Sequence, residues 1–259
     1  MKNLIMILIF LLPLFCFPQT TIVGVKILDG TVLASDSKTL LKTFNGKVLI
    51  TSPIITCKIK KSQDVRFAIA ATAGVITNAG LIKFDSVVSV CINRSGKNLE
   101  LGATIIEKEI YKHLIETKNY LLHNNIKIHD SLYSTDTPLV GVILCAFRNH
   151  KSVMESIEFN FKKGTINKKW HIDTVFTKNT VLKSTNEIDI QILGHKEVIS
   201  KYSLNDMKEK IYSVGTVNFA KWVIENEIKN CPEDVGKPIE IITIYENGEQ
   251  WFQNELHCD

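Results

Sequence analysis

The stretch TTIVGVKILDGTVLASDSK, residues 20–38, determines how the fold begins. Residues 20–28 are rich in β-branched side chains, Asp29-Gly30 is a dipeptide typical of hairpin turns, and strand character resumes from Thr31 to Ser35. Two such segments around a tight turn are typical of paired antiparallel strands. The stretch therefore predicts an opening β-hairpin, with two adjacent threonines, Thr20 and Thr21, at its start.

The residues before this hairpin have the layout of a secretory signal peptide. Lys2 is their one charge, and an apolar run from Leu4 to Phe17 is interrupted by Pro13. The run is shorter than the ~20 apolar residues that a membrane-spanning helix needs. We predict a signal peptide over residues 1–19 and a secreted or periplasmic location, with an uncleaved N-terminal anchor as the alternative.

The amino-acid composition is typical of an ordinary globular protein that follows the leader. Hydrophobic residues make up 45% of the sequence and charged residues 22%, which suits a real core. The net charge is +4, and the lysines are scattered without the interleaved aromatics of a nucleic-acid platform. We expect no nucleic-acid partner, no membrane contact after leader removal, and one domain over residues 20–259.

The cysteine spacing and the absence of common motifs argue against several kinds of functional site. Of six cysteines, Cys16 lies in the leader, and the other five are too widely spaced for a zinc pattern or a disulfide-rich scaffold. In an oxidising compartment one pair, such as Cys231 with Cys258, can be bridged, although spacing leaves the connectivity open. No Gly-rich phosphate loop, G-x-S-x-G elbow or H-E-x-x-H helix is present, and we expect no cofactor or metal.

Strands and helices are predicted in separate groups. Further strands are expected near residues 48–50, 65–71, 138–147, 152–161, 187–193, 238–245 and 249–252. Helical spacing covers residues 75–92, and an apolar stripe at Ile106, Ile110, Leu114 and Leu121 marks a second helix. A long helix is predicted from Ser203, with Asp206 completing a capping box, to about Asn230, in a region that holds one or two helices. Such segregation predicts an α+β fold of packed layers.

Thr20 has a chemistry of its own if the leader is cut after Gln19. Its hydroxyl and a free α-amine then belong to one residue, and an α-amine with a pKa of about 8 is partly neutral near pH 7. Such a residue is nucleophile and base together. The alternative is that Thr20 simply begins a strand, where threonine is common.

A family resemblance supports the chemical interpretation. Residues 20–38 closely resemble the start of the β-type subunits of the proteasome and of the related bacterial two-component protease, which are N-terminal nucleophile hydrolases. CKIKKSQDVRFAIAATAGVITNAG, residues 57–80, resembles that family's next segment, and GKPIEIITIYENGEQW, residues 236–251, its last hairpin. The resemblance implies a four-layer αββα sandwich, in which two antiparallel sheets are flanked by helices.

The resemblance also implies roles for four residues. Thr20 takes the place of the nucleophile, Asp36 that of the family's aspartate, Lys58 that of its lysine, and Gly74 that of the backbone N–H donor to the oxyanion. An ammonium beside Thr20 would lower the pKa of the amine, and a carboxylate would hold that ammonium in place. Lys60 competes with Lys58 for the same role, because strand alternation puts both on one side.

Two regions depart from the family. The segment between Asp36 and Lys58 is longer than in the family and predicts an extended hairpin near the mouth of the site. The family's later acid is not reproduced, and Asp234 is a weak candidate for it.

These patterns lead to two hypotheses. The first is an exported threonine-type hydrolase that cleaves peptide or other amide bonds through an acyl-enzyme on Thr20. The second is a catalytically silent scaffold or ring subunit. By resemblance alone, assembly into a homo-oligomer is an open possibility.

Overall fold

The computed structural model describes residues 20–45, 48–71, 74–77, 80–96, 98–124, 126, 129, 137–163 and 170–258. The predicted signal peptide, residues 1–19, lies outside the described residues. So do Gly46 and Lys47, between two paired strands.

The described residues form fourteen strands and four α-helices. The strands are β1 (Thr21–Ile27), β2 (Gly30–Asp36), β3 (Lys38–Asn45), β4 (Val48–Ile55), β5 (Ile59–Ser62), β6 (Val65–Ala71), β7 (Gly74–Thr77), β8 (Gly80–Lys83), β9 (Thr137–Arg148), β10 (Lys151–Lys163), β11 (Trp170–Thr177), β12 (Asp189–Gly194), β13 (Ile239–Tyr245) and β14 (Gly248–Gln253). The helices are α1 (Phe84–Arg94), α2 (Leu99–Asn124), α3 (Leu204–Val214) and α4 (Thr216–Asn230).

Ten of these strands form two five-stranded antiparallel sheets. The first, called the N-terminal sheet here, has the order β12-β1-β2-β13-β14, and the second, the central sheet, has the order β11-β10-β9-β6-β5. The predicted opening hairpin is confirmed as β1 and β2, with Val25 opposite Val32. The α+β class is confirmed, since antiparallel sheets and helices occupy separate stretches of the chain.

The two sheets pack against each other through an apolar cluster. Ile22 and Leu33 of the N-terminal sheet meet Ile143 and Met154 of the central sheet, and all four are fully buried. Gly24 permits this close approach, because a Cβ at that position would lie 2.6 Å from the Met154 sulfur. Burial of such surface contributes about 25 cal/mol per Å².

Helices cover the opposite faces of both sheets. Val23 and Val25, which alternate with Ile22 along β1, pack with Phe219 and Val223 of α4. On the central sheet, Leu144 belongs to a cluster with residues of α1 and α2, listed here with their buried neighbours: Phe84, Val88, Ile106, Ile110, Val142 and Phe159. Both faces of β1 are therefore buried, which follows from the two-residue period of strand side chains.

The longer segment after Asp36 forms the hairpin expected there. β3 and β4 pair antiparallel from Lys38 opposite Ile55 to Asn45 opposite Val48. Its base is tied to the end of β2, because Thr56 N donates to Ser37 O at 2.9 Å. The β3-β4 hairpin is therefore the part of the chain that links Asp36, at the end of β2, to Lys58, just before β5.

Three predictions of secondary structure were wrong or incomplete. Residues 75–92 are not one helix: β7 and β8 form a hairpin, and the helix begins at Phe84. The helix predicted from Ser203 to Asn230 is broken at Gly215, whose φ of 83° no helical residue adopts, although the Ser203 and Asp206 capping box is present. Strands β5 and β11 were not predicted, because short segments cannot be assigned by periodicity alone.

The disulfide also differs from the pair considered in the sequence. Cys258 is bonded to Cys57 and not to Cys231, which is a free, half-buried thiol. The bond spans 201 residues of sequence and joins the C-terminal segment to the residue preceding Lys58. Sequence spacing carries no information about such a long-range pair.

Within the described residues, no helix combines the length and apolar character needed to cross a membrane.

Replacing Cys57 and Cys258 together with serine should lower the free energy of unfolding by about 2–5 kcal/mol, because a long loop in the unfolded chain is no longer closed. Urea denaturation followed by circular dichroism measures this. Reduction of the wild type should give the same loss, while reductant should leave the double variant unchanged. Equal midpoints for oxidised wild type and variant would contradict the assignment.

Candidate active site

Three elements of the chain bring Thr20, Asp36 and Lys58 together. Thr20 directly precedes β1, Asp36 is the last residue of β2, and Lys58 directly precedes β5. All three are buried, with 2%, 0% and 6% of their surfaces exposed. Since β1 and β2 run antiparallel, the first residue of the hairpin and the last lie at the same end of the sheet.

The Lys58 amine is the centre of the contacts between these residues. Its Nζ donates to Thr20 Oγ1, to Asp36 Oδ1 at 3.0 Å, and to the carbonyl oxygen of Lys38. A lysine amine has three donors when charged, and each finds an acceptor here. The cationic end of Lys58 is therefore held directly against the Thr20 hydroxyl.

The Asp36 carboxylate joins the surrounding segments. Oδ1 accepts from Thr21 N at 2.9 Å in addition to Lys58, and Oδ2 accepts from Lys38 N at 3.2 Å and Gly236 N at 3.1 Å. Gly236 can come this close because it lacks a side chain: a Cβ there would lie 2.8 Å from the Lys38 Cδ. Four donors on one buried carboxylate favour its ionised form.

Burial shifts the proton affinities of both charged groups. Burial lowers the pKa of Lys58, and the charge of Asp36 and its hydrogen bond oppose this shift. Burial likewise raises the pKa of Asp36, opposed by Lys58 and by the backbone N–H groups of Gly236 and Thr21. Lys58 consequently releases its proton more readily than an exposed lysine would.

A second set of contacts fixes the backbone of the threonine pair. His195 N donates to Thr20 O at 2.7 Å, and Thr21 Oγ1 donates to His195 O at 2.9 Å. The His195 ring lies 2.9 Å from a carboxylate oxygen of Glu227, a fully buried residue of α4. Burial lowers the pKa of His195, but the hydrogen bond to Glu227 and the charges of Glu227, Asp234 and Glu197 together outweigh it, so the pKa is raised. These contacts use the Thr21 hydroxyl to hold the two segments together, and they fix the position of the Thr20 backbone.

The sequence did not identify His195, Glu227 or Gly236 as part of the site. His195 follows directly after β12, which pairs with β1 so that Gly194 lies opposite Thr21. That pairing joins residues 173 positions apart, and the sequence pattern contains no signal for it. A signal did exist for Glu227, because an acidic residue on the apolar face of a helix needs a buried partner.

The other predicted residues have different outcomes. Lys60 lies within β5 opposite Phe67 and is half-buried, and the lysine whose amine contacts the Thr20 hydroxyl is Lys58. Gly74 is described as the first residue of β7, opposite Lys83, and its role as an oxyanion donor stays a prediction. Asp234 is buried, and its charge acts on His195 and Cys231.

The cysteines of the described chain are unsuited to act as nucleophiles. Cys57 is in the disulfide. Cys91 and Cys145 are buried, and burial raises the pKa of both thiols. Burial and the Glu197 carboxylate raise the pKa of Cys231 to about 12. The Thr20 hydroxyl, by contrast, accepts a hydrogen bond directly from the Lys58 ammonium, and such a cation favours the alkoxide.

Comparison with known proteins does not identify a family for this chain. No family model matches the chain, and no curated protein matches it. The function has to be inferred from the residues and their geometry.

Replacing Asp36 with asparagine should lower the free energy of unfolding by about 3 kcal/mol, because Lys58 loses its counter-charge in a buried position. Chemical denaturation at pH 7 measures the loss. Asp173→Asn is the matched control, since Asp173 and Lys162 form an exposed pair and should lose no more than about 1 kcal/mol. Equal losses in the two variants would show that Asp36 is not the anchor described.

Proposed function

We propose that this chain is an exported threonine-type N-terminal nucleophile hydrolase that cleaves peptide or other amide bonds. The observation that carries the proposal is the contact of Lys58 Nζ with Thr20 Oγ1 in a buried site, with Asp36 holding the amine. Its site consists of a hydroxyl, a cation and a carboxylate from three separate elements. The resemblance of residues 20–38 to the family's first segment supports the same conclusion.

The proposal includes the four-layer αββα sandwich of that family. Two five-stranded antiparallel sheets in contact, each with helices on its other face, support it. Thr20 at the start of a strand in one of the inner sheets supports it as well.

The proposed reaction begins with removal of residues 1–19, which converts the amide nitrogen of Thr20 into an α-amine. This amine accepts the hydroxyl proton while Oγ1 attacks the substrate carbonyl, and it then gives that proton to the departing substrate amine. The C–N bond of the substrate breaks, and an ester to Thr20 remains. Water then attacks the ester while the same amine takes its proton, and the amine returns that proton to Oγ1 as the acid is released.

The neighbouring residues have supporting roles in this scheme. Charge on Lys58 lowers the pKa of the adjacent α-amine and stabilises developing negative charge on Oγ1. Asp36 orients Lys58, and the backbone N–H of Gly74 is proposed to donate to the oxyanion. The scheme uses no metal or organic cofactor.

Location and substrate form part of the same proposal. The Cys57 and Cys258 disulfide supports an oxidising compartment, either secreted or periplasmic. An exported hydrolase meets no ATP-driven unfoldase, so its substrates would be peptides, unfolded segments or small amides rather than folded proteins.

One observation favours a second function, a catalytically silent scaffold. Thr20 is only 2% exposed in the chain that still carries residues 1–19, so its hydroxyl is covered, as that of a silent chain can be. A silent chain would keep the residues before Thr20, whereas the hydrolase must lose them.

The exported protein should begin at Thr20 and hydrolyse amide substrates. Intact-mass analysis establishes the first residue, and fluorogenic peptides measure kcat/KM. Thr20→Ser should keep measurable activity because hydroxyl and amine remain, while Thr20→Ala should lose at least about 1,000-fold because the nucleophile is gone. A mature chain that starts elsewhere, or an active Thr20→Ala, would exclude the mechanism.

The acid side of the pH profile should report the amine base. kcat/KM should fall about tenfold per pH unit below a midpoint that lies under about pH 8, because protonation of the amine removes the base. The rate should level off above that midpoint. A flat profile down to pH 5 would exclude an amine as the base.

Lys58→Arg should lose at least about 100-fold in kcat/KM, since a planar guanidinium cannot make the same three contacts in a buried site. Lys60→Arg is the matched control and should stay within about twofold of wild type, because Lys60 is only half-buried. The reverse order of effects would assign the supporting cation to Lys60.

A further inference from the structure

We propose that His195, Glu197 and Cys231 form a binding site for one divalent cation of the zinc class. Nitrogen, oxygen and sulfur ligand atoms from the three residues all lie within 4.8 Å of one another. Two of the residues belong to the segment after β12, and Cys231 caps the C-terminal end of α4. This site requires neither leader removal nor a catalytic Thr20, so it goes beyond the proposed hydrolase.

The distances between the ligand atoms suit a tetrahedral ion. Glu197 Oε2 lies 3.9 Å from His195 Nε2 and 3.5 Å from Cys231 Sγ. Zn–ligand bonds of 2.0–2.3 Å at tetrahedral angles put neighbouring ligand atoms about 3.3–3.8 Å apart. The three side chains therefore need only small movements to bind one ion, and water can take the fourth position.

The histidine ring is oriented for ligation. Its Nδ1 lies 2.9 Å from Glu227 Oε2, and the other Glu227 oxygen accepts from Val198 N at 3.0 Å and Ile199 N at 2.9 Å. A carboxylate held this firmly accepts a hydrogen bond from Nδ1–H, and the neutral ring then presents its Nε2 lone pair to a metal. Metal-ligating histidines almost always have such a partner on the other ring nitrogen.

The chemistry of the donors selects the type of cation. Thiolate and imidazole together favour zinc over magnesium or calcium, which prefer oxygen ligands. The partial negative charge at the C-terminal end of α4, where Cys231 lies, and the nearby charge of Asp234 both favour a cation. In the metal-free chain Cys231 Sγ donates to Glu197 Oε2, so binding releases this thiol proton to solvent.

The site is accessible and close to the threonine pair. The Glu197 side chain is 70% exposed, so an ion can reach the cluster from solvent. On the other side, the backbone of His195 hydrogen-bonds both Thr20 and Thr21. A bound ion would tie the segment that holds these threonines to α4.

The sequence contained no pattern for such a site. Its ligands come from two segments more than thirty residues apart, and no two histidines have metal-ligand spacing. The cluster becomes evident only when β12 and α4 are placed side by side.

Titration of metal-free protein with Zn²⁺, followed by isothermal calorimetry, tests the proposal. We expect one ion per chain, and at least about tenfold weaker binding for Cys231→Ser and for Glu197→Gln, as expected when a ligand is lost. Glu233→Gln is the matched control, because Glu233 is an exposed acid beside the cluster that supplies no ligand, and it should bind like wild type.

Titration with Co²⁺ gives a second readout. The wild type should show a thiolate-to-cobalt charge-transfer band in the near ultraviolet, and Cys231→Ser should lack it. Circular dichroism of each variant checks that its fold is intact. Absence of stoichiometric Zn²⁺ binding, equal binding by Cys231→Ser and wild type, or equal weakening by Glu233→Gln would overturn the proposal.

Discussion

The buried carboxylate of Asp36 is the constraint on which the site depends. It accepts hydrogen bonds from Lys58 Nζ and from the backbone N–H groups of Thr21, Lys38 and Gly236. A carboxylate with no exposed surface is tolerated only when its lone pairs are satisfied, so these four groups must converge. The start of β1, the end of β2 and the segment before β13 are thereby fixed around one amine.

The packing of the two sheets explains why this end of the β1-β2 hairpin is held rigidly. Side chains of β1 alternate between the sheet interface and α4, and all of them are buried except Ile27 at the end of the strand, which is partly buried. The disulfide holds the residue next to Lys58 to the C-terminal segment. The backbone of His195 holds Thr20 from the other side. A hydroxyl placed by so many independent contacts has little freedom, which is the requirement for a preorganised nucleophile.

Much of this arrangement could be predicted from local sequence. Alternating β-branched residues and Asp29-Gly30 specify the first hairpin, which alone sets Asp36 at the same end as Thr20. The family resemblance selected Lys58, and the structure places its amine on the Thr20 hydroxyl. Whether that geometry performs catalysis, with Gly74 as oxyanion donor, stays a prediction.

The features that escaped prediction depend on long-range contacts or on single backbone angles. The disulfide partner of Cys258 is 201 residues away, and the pairing of Glu227 with His195 requires β12 to lie beside β1. The break between α3 and α4 depends on one positive φ at Gly215. β7 and β8 are too short for apolar periodicity to distinguish them from a helix.

The proposed mechanism requires the Thr20 hydroxyl to be a nucleophile activated by adjacent amines. The most direct measurement is peptide-mapping mass spectrometry of the chain beginning at Thr20 after reaction with a threonine-directed electrophile. We expect one adduct per chain, located on Thr20, and no adduct in Thr20→Ala. An adduct on another residue, or equal labelling of wild type and Thr20→Ala, would exclude Thr20 as the nucleophile.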